Sequence, residues 1–418
     1  MLRLSRLQIQ PIGLDIGRDS IKMLQLEVAD GVLSVKAAAR RSLPDSAKSD
    51  ALLHMPVAAD MIRQMLHEGG FVGRRSVMAL PRESVHVKNF RLPLMPPSEL
   101  EAAVQFEARH LFPFETDQAR VHFVPAGEVR QGNDVLQEII ALAVSNEDAD
   151  NFVEQMHRSG LIIDSFDVQP LALFRSVERF IRRREDEQEA HVLVDVGLRS
   201  SQVVIGIGRE ISFLKSIDIG GLHFRRAISE RLGITMSEAA ALRRRLIEAQ
   251  EGADAVADRD PVRQAVFDAT RSVMEQLGRE ISLCLRYQSV TFRGHRPQRL
   301  RLLGGEAADT QLQELLKAML TIPVEAGRPL YSVDTSRMKV ADRRGLMAEW
   351  AVALGLGLRH TVDRFGRRDG RSRGSAPAGA DPAATVDGEA QSPGAVSSVE
   401  VAAPPAGAAI QEAVHARA

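Results

Sequence analysis

The sequence predicts an α/β protein built from two related lobes that face one another. Its 418 residues exceed the ~100–200 of a usual domain, so more than one hydrophobic core is expected. An Asp-x-Gly turn between two apolar runs occurs at Asp15 to Gly17 and again at Asp195 to Gly197. The spacing of 180 residues is too long for a solenoid repeat and suits two lobes with the same opening motif.

The first motif, "PIGLDIGRDSIKMLQLEV", predicts a hairpin with strands at 12–16 and 21–28. A glycine in such a turn leaves amide N–H groups directed into it, where they suit phosphate oxygens. The preceding Asp15 could hold the water shell of a magnesium ion that bridges phosphates. Tight hairpins also favour Asp and Gly for their geometry alone, so one turn does not decide the function.

The second motif repeats this arrangement over residues 192–208 and adds the hydroxyls of Ser200 and Ser201. Two such turns would clamp a triphosphate from both sides, with Asp15 and Asp195 holding Mg²⁺ through water. A third glycine turn, Gly304 to Gly305, follows a strand at 300–303 and precedes a helix at 310–319. We expect this turn to lie under the base or ribose of a nucleotide.

Small residues predict a close helix contact near the end of the apolar sequence. The segment "EWAVALGLGL", residues 349–358, reads as a helix whose Ala351, Gly355 and Gly357 allow another backbone to come near. A tight contact between the lobes would need such residues.

Composition argues for a soluble protein and against nucleic acid as a partner. Hydrophobic residues make up 44% and charged residues 26%, the net charge is -1, and aromatics are only 4%. The single cysteine, Cys284, excludes an internal disulfide and a cysteine zinc cluster, which fits the reduced cytoplasm. No apolar run reaches the ~20 residues of a membrane-spanning helix. The start, "MLRLSRLQIQ", reads either as a membrane-surface contact or as a segment that leads into a strand.

Changes in composition divide the chain. The polar stretch 182–190 predicts a connector, and the Gly-, Pro-, Ala- and Ser-rich residues 366–418 predict a disordered tail. Residues 76–160 predict an inserted segment of strand, helix, strand, strand and helix. The expected pieces are 76–92, 97–110, 120–129, 135–144 and 146–159.

The first helix of the insert carries two side chains that do not fit a plain amphipathic pattern. Its apolar stripe consists of Leu100, Val104, Ala108 and Leu111, with Ser98 as a candidate cap. Phe106 falls off that stripe, and it either marks a binding surface or packs on the turn from Phe112 to Phe114. Glu107 falls near the centre of the stripe and needs a donor, either inside the protein or on an incoming partner.

The order of these motifs resembles the actin-like ATPase superfamily, which includes actin, FtsA and the sugar kinases. Within it, residues 11–365 look closest to the PilM family of type IV pilus assembly. The stretch specific to that family is a helix of pattern E-x-A-x-x-x-E-A followed by an aromatic-Pro-Phe turn. The resemblance is carried by "GLDIGRDSIKMLQLE", "MPPSELEAAVQFEARHLFPFETDQARVHF", "DSFDVQPLAL", "LVDVGLRSSQVVI", "IDIGGLHFRRAISERLGITMSEAAALRRRL", "LLGGEAA" and "AEWAVALGLGLR".

This resemblance implies an actin-like, ribonuclease-H-like α/β fold of two lobes with an inserted FtsA/PilM-type βαββα subdomain. The implied division is 11–75 with 161–185 for the first lobe, 345–365 packing back on it, 76–160 for the insert and 190–344 for the second lobe. The implied cofactors are ATP and Mg²⁺. The implied cofactor-binding residues are Asp15, Gly17, Ser20, Lys22, Asp195, Gly197, Ser200, Ser201, Gly220, Gly221, Arg243, Gly304 and Gly305.

The resemblance also places Asp167 and Gln169 at the start of a lobe-crossing helix, where they would orient water towards the terminal phosphate. The alternative is that Asp167 caps that helix and Gln169 faces solvent. ATP turnover stays open because the chain departs from the family pattern. Arg18 and Asp19 stand where small hydroxyl residues are usual in the family. Ala240 and Ala241 stand where acidic residues often seat the ribose, and Arg243 stands where a lysine is often found. Glu306 stands where a third glycine is expected.

As partner, the resemblance implies the cytoplasmic N-terminal peptide of a PilN-like membrane protein, bound partly by Phe106, Glu107, Phe112 and Phe114. Cytoplasmic pilus motor ATPases and self-association are further expectations. The implied role is a cytoplasmic scaffold at the inner face of the inner membrane. The alternatives are a small-molecule kinase of the same superfamily, which would need an acceptor-site carboxylate beyond Asp15 and Asp195, and an FtsA-like membrane-associated filament protein.

Overall fold

The computed structural model describes residues 7–250, 260–292, 295–338 and 346–361. The predicted disordered tail, 366–418, and the first six residues of the basic start lie outside these ranges. No helix in the described ranges combines the length and apolarity needed to cross a bilayer.

The described residues form strands and α-helices in the following order. The strands are β1 (Gln8–Ile9), β2 (Ile12–Ile16), β3 (Ser20–Ala29), β4 (Val32–Ser42), β5 (Arg75–Ala79), β6 (His86–Pro93), β7 (Ala119–Gln131), β8 (Asp134–Ser145), β9 (Ile162–Asp167), β10 (Ala190–Val196), β11 (Ser201–Ile207), β12 (Glu210–Ile217), β13 (Pro297–Gly304) and β14 (Val324–Ala326). The helices are α1 (Asp45–Ser49), α2 (Ala51–Glu68), α3 (Pro97–Ala108), α4 (Asn146–His157), α5 (Gln169–Glu178), α6 (Gly221–Leu232), α7 (Met236–Gln250), α8 (Pro261–Thr291), α9 (Thr310–Leu320) and α10 (Ala351–Gly357).

Two sheets share one topology, and this confirms the expectation of two related lobes. The first runs β1-β3-β2-β5-β9, with β4 also paired to β3, and the second runs β12-β11-β10-β13-β14. Each sheet contains an antiparallel hairpin, β2–β3 or β10–β11. The first strand of the hairpin pairs in parallel with β5 or β13, which pairs in parallel with β9 or β14 in turn. The recurring Asp-x-Gly motif is therefore the hairpin turn at the same place in each sheet.

Each sheet is covered by helices, which explains why its central strands read as nearly continuous apolar runs. Ile12 and Leu14 of β2 share a core with Ile62 of α2 and Phe152 of α4. In the second lobe, β10, β11 and β13 pack on α8 and α9. Asp260 caps α8 by accepting from the amide of Val262 at 3.0 Å, in a setting where Pro261 suits the first helical position.

The predicted small-residue helix contact is confirmed. A Cβ at Gly355 of α10 would overlap the carbonyl oxygen of Ala172 in α5, and a Cβ at Gly13 of β2 would overlap that of Ala353. Residues of α5 and α10 also share the hydrophobic core of the second lobe. These two helices thus join the two sheets at backbone contact distance.

The inserted segment forms a third sheet, β6-β8-β7, with α3 packed on it. The predicted single strand at 76–92 is wrong, because β5 pairs with β2 and β9 whereas β6 pairs with β8. The cap predicted at Ser98 is also wrong: α3 begins at Pro97, with Pro96 in the cap position. The boundaries 76–160 stay a prediction, although the pairing of β5 and the packing of α4 on the first-lobe core favour a shorter insert.

Candidate nucleotide cleft and partner surface

The two hairpin turns have matching geometry. The amide of Gly17 donates to the carbonyl of Ser20 at 3.1 Å, and the amide of Gly197 donates to that of Ser200 at 3.0 Å. A Cβ at Gly17 would lie 3.0 Å from the Ser20 carbonyl oxygen, and a Cβ at Gly197 would lie 3.0 Å from that of Ser200. The two lobes therefore present equivalent turns of the kind that can cradle phosphate oxygens.

Asp15 and Lys22 are partners before any ligand is considered. They lie opposite each other in the β2–β3 pairing, and the Lys22 ammonium is 3.0 Å from the Asp15 carboxylate. Both side chains are buried. Lys22, expected to contact phosphate, is thus held by the same carboxylate that was expected to hold the magnesium water shell.

Asp195 has no such cation at contact distance among the residues that the structure describes. Burial, followed by the nearby Asp15 carboxylate, raises the pKa of Asp195 to about 6, although Lys22 opposes this. Gly304 lies against it with φ of 85°, and a Cβ there would be 2.7 Å from Oδ1 of Asp195. A glycine is needed at 304 for both its left-handed backbone and its closeness to the carboxylate. A cation near Asp15 and Asp195 would relieve their repulsion.

Direct metal ligation has no support in the described ranges, where no group of three or more His, Cys, Asp or Glu side chains is arranged to hold an ion. Contact through water, as expected from the sequence, needs only the two carboxylates.

Three residues predicted to bind the cofactor, Ser201, Gly220 and Gly221, contact the protein next to the second turn. The Ser201 hydroxyl is buried and donates to the carbonyl of Ile219 at 2.7 Å. The amide of Gly221 donates to the carbonyl of Gly197 at 2.9 Å, and a Cβ at Gly220 would lie 2.5 Å from that oxygen. The start of α6 therefore packs closely on the turn, and the Ser201 hydroxyl and the Gly221 amide already have hydrogen-bond partners within the protein.

The residues around the turn after β13, which the sequence predicts to lie under the base or ribose, make several contacts that were not predicted. Gly305 is exposed, with open space where a Cβ would stand. Arg243, predicted to bind the cofactor, is buried; its Nε lies 2.7 Å from Glu306 and its Nη2 lies 2.7 Å from Asp309. The guanidinium also stacks 4.6 Å from the centre of the Phe224 ring. Burial lowers the pKa of Arg243, but the two carboxylates outweigh burial and raise it.

Asp167 is held by two arginines. One oxygen accepts from the amide of Val168 at 2.8 Å, and the other lies 2.7 Å from Arg175 and 2.8 Å from Arg359. Burial favours a higher pKa for Asp167, but the guanidiniums outweigh it and hold the pKa below its usual value. Gln169 is half-buried at the start of α5. This geometry favours a structural role for Asp167, although the helix cap considered from the sequence is not formed, because α5 has no side-chain cap.

Asp19 ties the first turn to the second lobe. It lies 3.2 Å from Arg225 of α6 and 3.4 Å from Lys48. Burial favours a higher pKa, but these two cations outweigh it and lower the pKa of Asp19. Its neighbour Arg18 pairs with Glu83 at 2.6 Å.

The predicted partner residues divide into exposed and buried groups. Phe106 is 60% exposed and meets His110 edge-to-face at 6.4 Å between ring centres. Phe112 is buried and stacks at 5.8 Å on the half-buried Phe114, so Phe112 belongs to the core rather than to an open surface. Glu107 is half-buried, and its carboxylate has no hydrogen bond or ion pair with a side chain in the described ranges.

Sequence reasoning missed Asp309, Arg225 and Phe224. Asp309 had a local signal, because it precedes the helical run that starts at Thr310 and caps α9 through the amides of Gln311 and Leu312. The other two gave no signal: Arg225 and Phe224 lie in an ordinary amphipathic helix, and their roles depend on distant contacts.

Comparison with known proteins agrees with the resemblance drawn from the motifs. A family model described as "Type IV pilus assembly protein PilM" matches residues 13–361. The chain is similar to a solved structure described as "PilM-PilN type IV pilus biogenesis complex", with TM-score 0.69 and 24% identity over 84% of this chain and 98% of that chain. It is also similar to the ethanolamine utilization protein EutJ from Carboxydothermus hydrogenoformans, with TM-score 0.47 and 13% identity over 84% of this chain and 89% of that one. The expected actin-like fold is thereby confirmed, and the chain belongs to the PilM family of type IV pilus assembly proteins.

Proposed function

We propose that the protein is a scaffold of the type IV pilus assembly platform that docks the cytoplasmic N-terminal peptide of a PilN-like membrane protein. Family membership supports this role, as does the similarity to a solved complex whose title names PilN. The protein would then work in the cytoplasm, at the face of the inner membrane. Contacts with pilus motor ATPases and self-association remain predictions.

The observation that carries the proposal is the pair Phe106 and Glu107 on α3. A large exposed aromatic side chain is a typical anchor for a partner. The half-buried Glu107 carboxylate beside it has no protein donor in the described ranges and is open to a peptide amide or cation. The stacked rings of Phe112 and Phe114 provide a rigid apolar base next to α3. Phe112 therefore supports the surface, while Phe106 and Glu107 offer the contacts.

The cleft between the lobes suits the phosphate groups of ATP with Mg²⁺. The matched turns at 17–20 and 197–200 would receive phosphate oxygens at amides other than those of Gly17 and Gly197, which close the turns. Asp15 and Asp195 would hold the ion through water. A bound Mg²⁺ would neutralise phosphate charge there. No catalytic step is assigned to Asp167, since both of its oxygens already accept hydrogen bonds or ion pairs.

Docking is tested by titrating the full chain with a synthetic peptide of the PilN-like N-terminus and measuring affinity by calorimetry. We expect Phe106→Ala to weaken binding at least tenfold, which is about 1.4 kcal/mol. Leu52→Ala is the control, because Leu52 is an even more exposed apolar side chain on α2, in the first lobe. Equal affinity of Phe106→Ala and wild type, or an equal loss in Leu52→Ala, would refute docking at this surface.

A further inference from the structure

We infer that a buried ion cluster of Arg243, Glu306 and Asp309 takes the place of a nucleoside in the second lobe, so that the cleft binds phosphate groups without added affinity from a base. This inference deepens the proposed function and rests on its phosphate site. It concerns the arrangement of residues at the turn that follows β13.

The position of the cluster follows from contacts on both of its sides. Gly304 touches the carboxylate of Asp195, so the turn after β13 starts at the phosphate end of the cleft. Two residues later, Oε1 of Glu306 lies 2.5 Å from where a Cβ of Gly221 would stand. Gly221 in turn bonds to the second hairpin turn. Glu306 therefore fills the corner between the glycine turn and the start of α6, directly beside the phosphate site.

The cluster joins three elements of the second lobe. Arg243 comes from α7, whereas Glu306 and Asp309 come from the segment between β13 and α9. Asp309 is held rigidly because its other oxygen caps α9. Phe224 of α6 presents its ring to the guanidinium, which closes the cluster on a third side.

The side chains of the cluster have hydrogen-bond partners within the protein, although one guanidinium faces two carboxylates. Arg243 is only 4% exposed and makes hydrogen bonds to both carboxylates. A base or ribose could enter the corner beside Gly221 only by displacing Glu306, which would break its buried ion pair with Arg243. Gly305 is open to solvent, whereas the Nε and Nη2 groups of Arg243 are already bonded to Glu306 and Asp309. The phosphate turns are separate from the cluster and keep their own geometry.

The test compares ATP with inorganic tripolyphosphate, both with excess MgCl₂, by calorimetry on the full chain. In wild type we expect dissociation constants within threefold of each other. In Glu306→Gly, which empties the corner beside Gly221, we expect ATP to bind at least tenfold more tightly than tripolyphosphate. Glu306→Gln is the matched control, because it keeps the bulk of the side chain and should keep the wild-type ratio.

A thermal melt checks that each variant folds, and the double variant Arg243→Lys with Glu306→Gly serves if the single variant does not. A wild-type preference for ATP above threefold overturns the inference, and so does the lack of any preference in the opened variants. If wild type binds neither ligand, the phosphate part of the proposed function fails. The inference is then decided by the variants: a gain of ATP binding supports it, and no gain overturns it. Peptide docking through Phe106 is measured independently of these arms.

Discussion

At the scale of single residues, three aspartates near the ends of strands have different electrostatic surroundings. Asp15 and Asp195 both precede a turn glycine, yet Asp15 pairs with Lys22 while the pKa of Asp195 rises to about 6 through burial and the charge of Asp15. Asp167, at the end of β9, is neutralised by two guanidiniums. The residue type suggested acid or metal chemistry at all three positions, but the neighbours decide what each carboxylate can do.

Asp167→Asn should destabilise the fold strongly. The amide keeps the shape of the side chain but removes the charge that compensates Arg175 and Arg359, so we expect a loss of about 3–5 kcal/mol in the free energy of unfolding, measured by urea denaturation. Asp60→Asn is the control, since its exposed pair with Arg63 should be worth no more than about 1 kcal/mol. Similar losses in the two variants would contradict the structural role of Asp167.

At the scale of elements, the two hairpins and α10 were predictable because their signals are local. Alternating apolar residues around a glycine turn specify a hairpin, and the spacing of small residues in α10 announces a close contact. The segment 76–92 shows where such signals stop. Its apolar residues predict strand throughout, but the chain leaves the first sheet after Ala79 and enters another at His86. The partner strands, not the segment itself, divide it.

Gly355→Ala should weaken the junction between α5 and α10. The added methyl would overlap the carbonyl of Ala172, so we expect a loss of at least about 2 kcal/mol in the free energy of unfolding, even though alanine is the better helix former. Gly305→Ala provides the comparison, because its Cβ meets open space, and it should stay within about 0.5 kcal/mol of wild type. A stable Gly355→Ala protein would mean that the two helices are not in backbone contact.

At the scale of the whole molecule, the two lobes are tied by charged side chains around the cleft. Asp19 of the first turn pairs with Arg225 of α6, and Arg82 pairs with Asp218 at 2.7 Å. Together with the packing of α5 and α10, these contacts hold the lobes near each other with the protein's own groups. The two lobes are thus connected by ion pairs between side chains as well as by the packing of α5 on α10.

Acid should destabilise the molecule through histidines whose pKa is lowered in the folded chain, of which His54 and His191 are buried. Burial is the largest cause that lowers the pKa of each of four side chains, His54, His122, His191 and His360. The unfolded chain then binds more protons than the folded one, so the free energy of unfolding falls as the pH drops below about 6.5. Asp195 acts in the opposite sense through its raised pKa, but it is one group against four.

This pH dependence is measured by urea denaturation at pH 7.5 and pH 5.5, a window above the ordinary titration of most carboxylates. We expect lower stability at pH 5.5, and replacing His191 by Asn should reduce the difference between the two values. A protein that is equally or more stable at pH 5.5 would contradict the lowered pKa values of these histidines.

The sequence by itself determined the repeated hairpins, the glycine turns, the small-residue helix and the family. These depend on neighbours a few positions apart, where periodicity and turn chemistry act directly. Only the tertiary structure decided that Phe106 is exposed while Phe112 is buried, and that Arg243 meets Glu306 and Asp309, which lie 63 and 66 residues away. The physical reason is that a charge pairs with whatever the packing of distant elements brings within about 3 Å, and no local pattern encodes that partner.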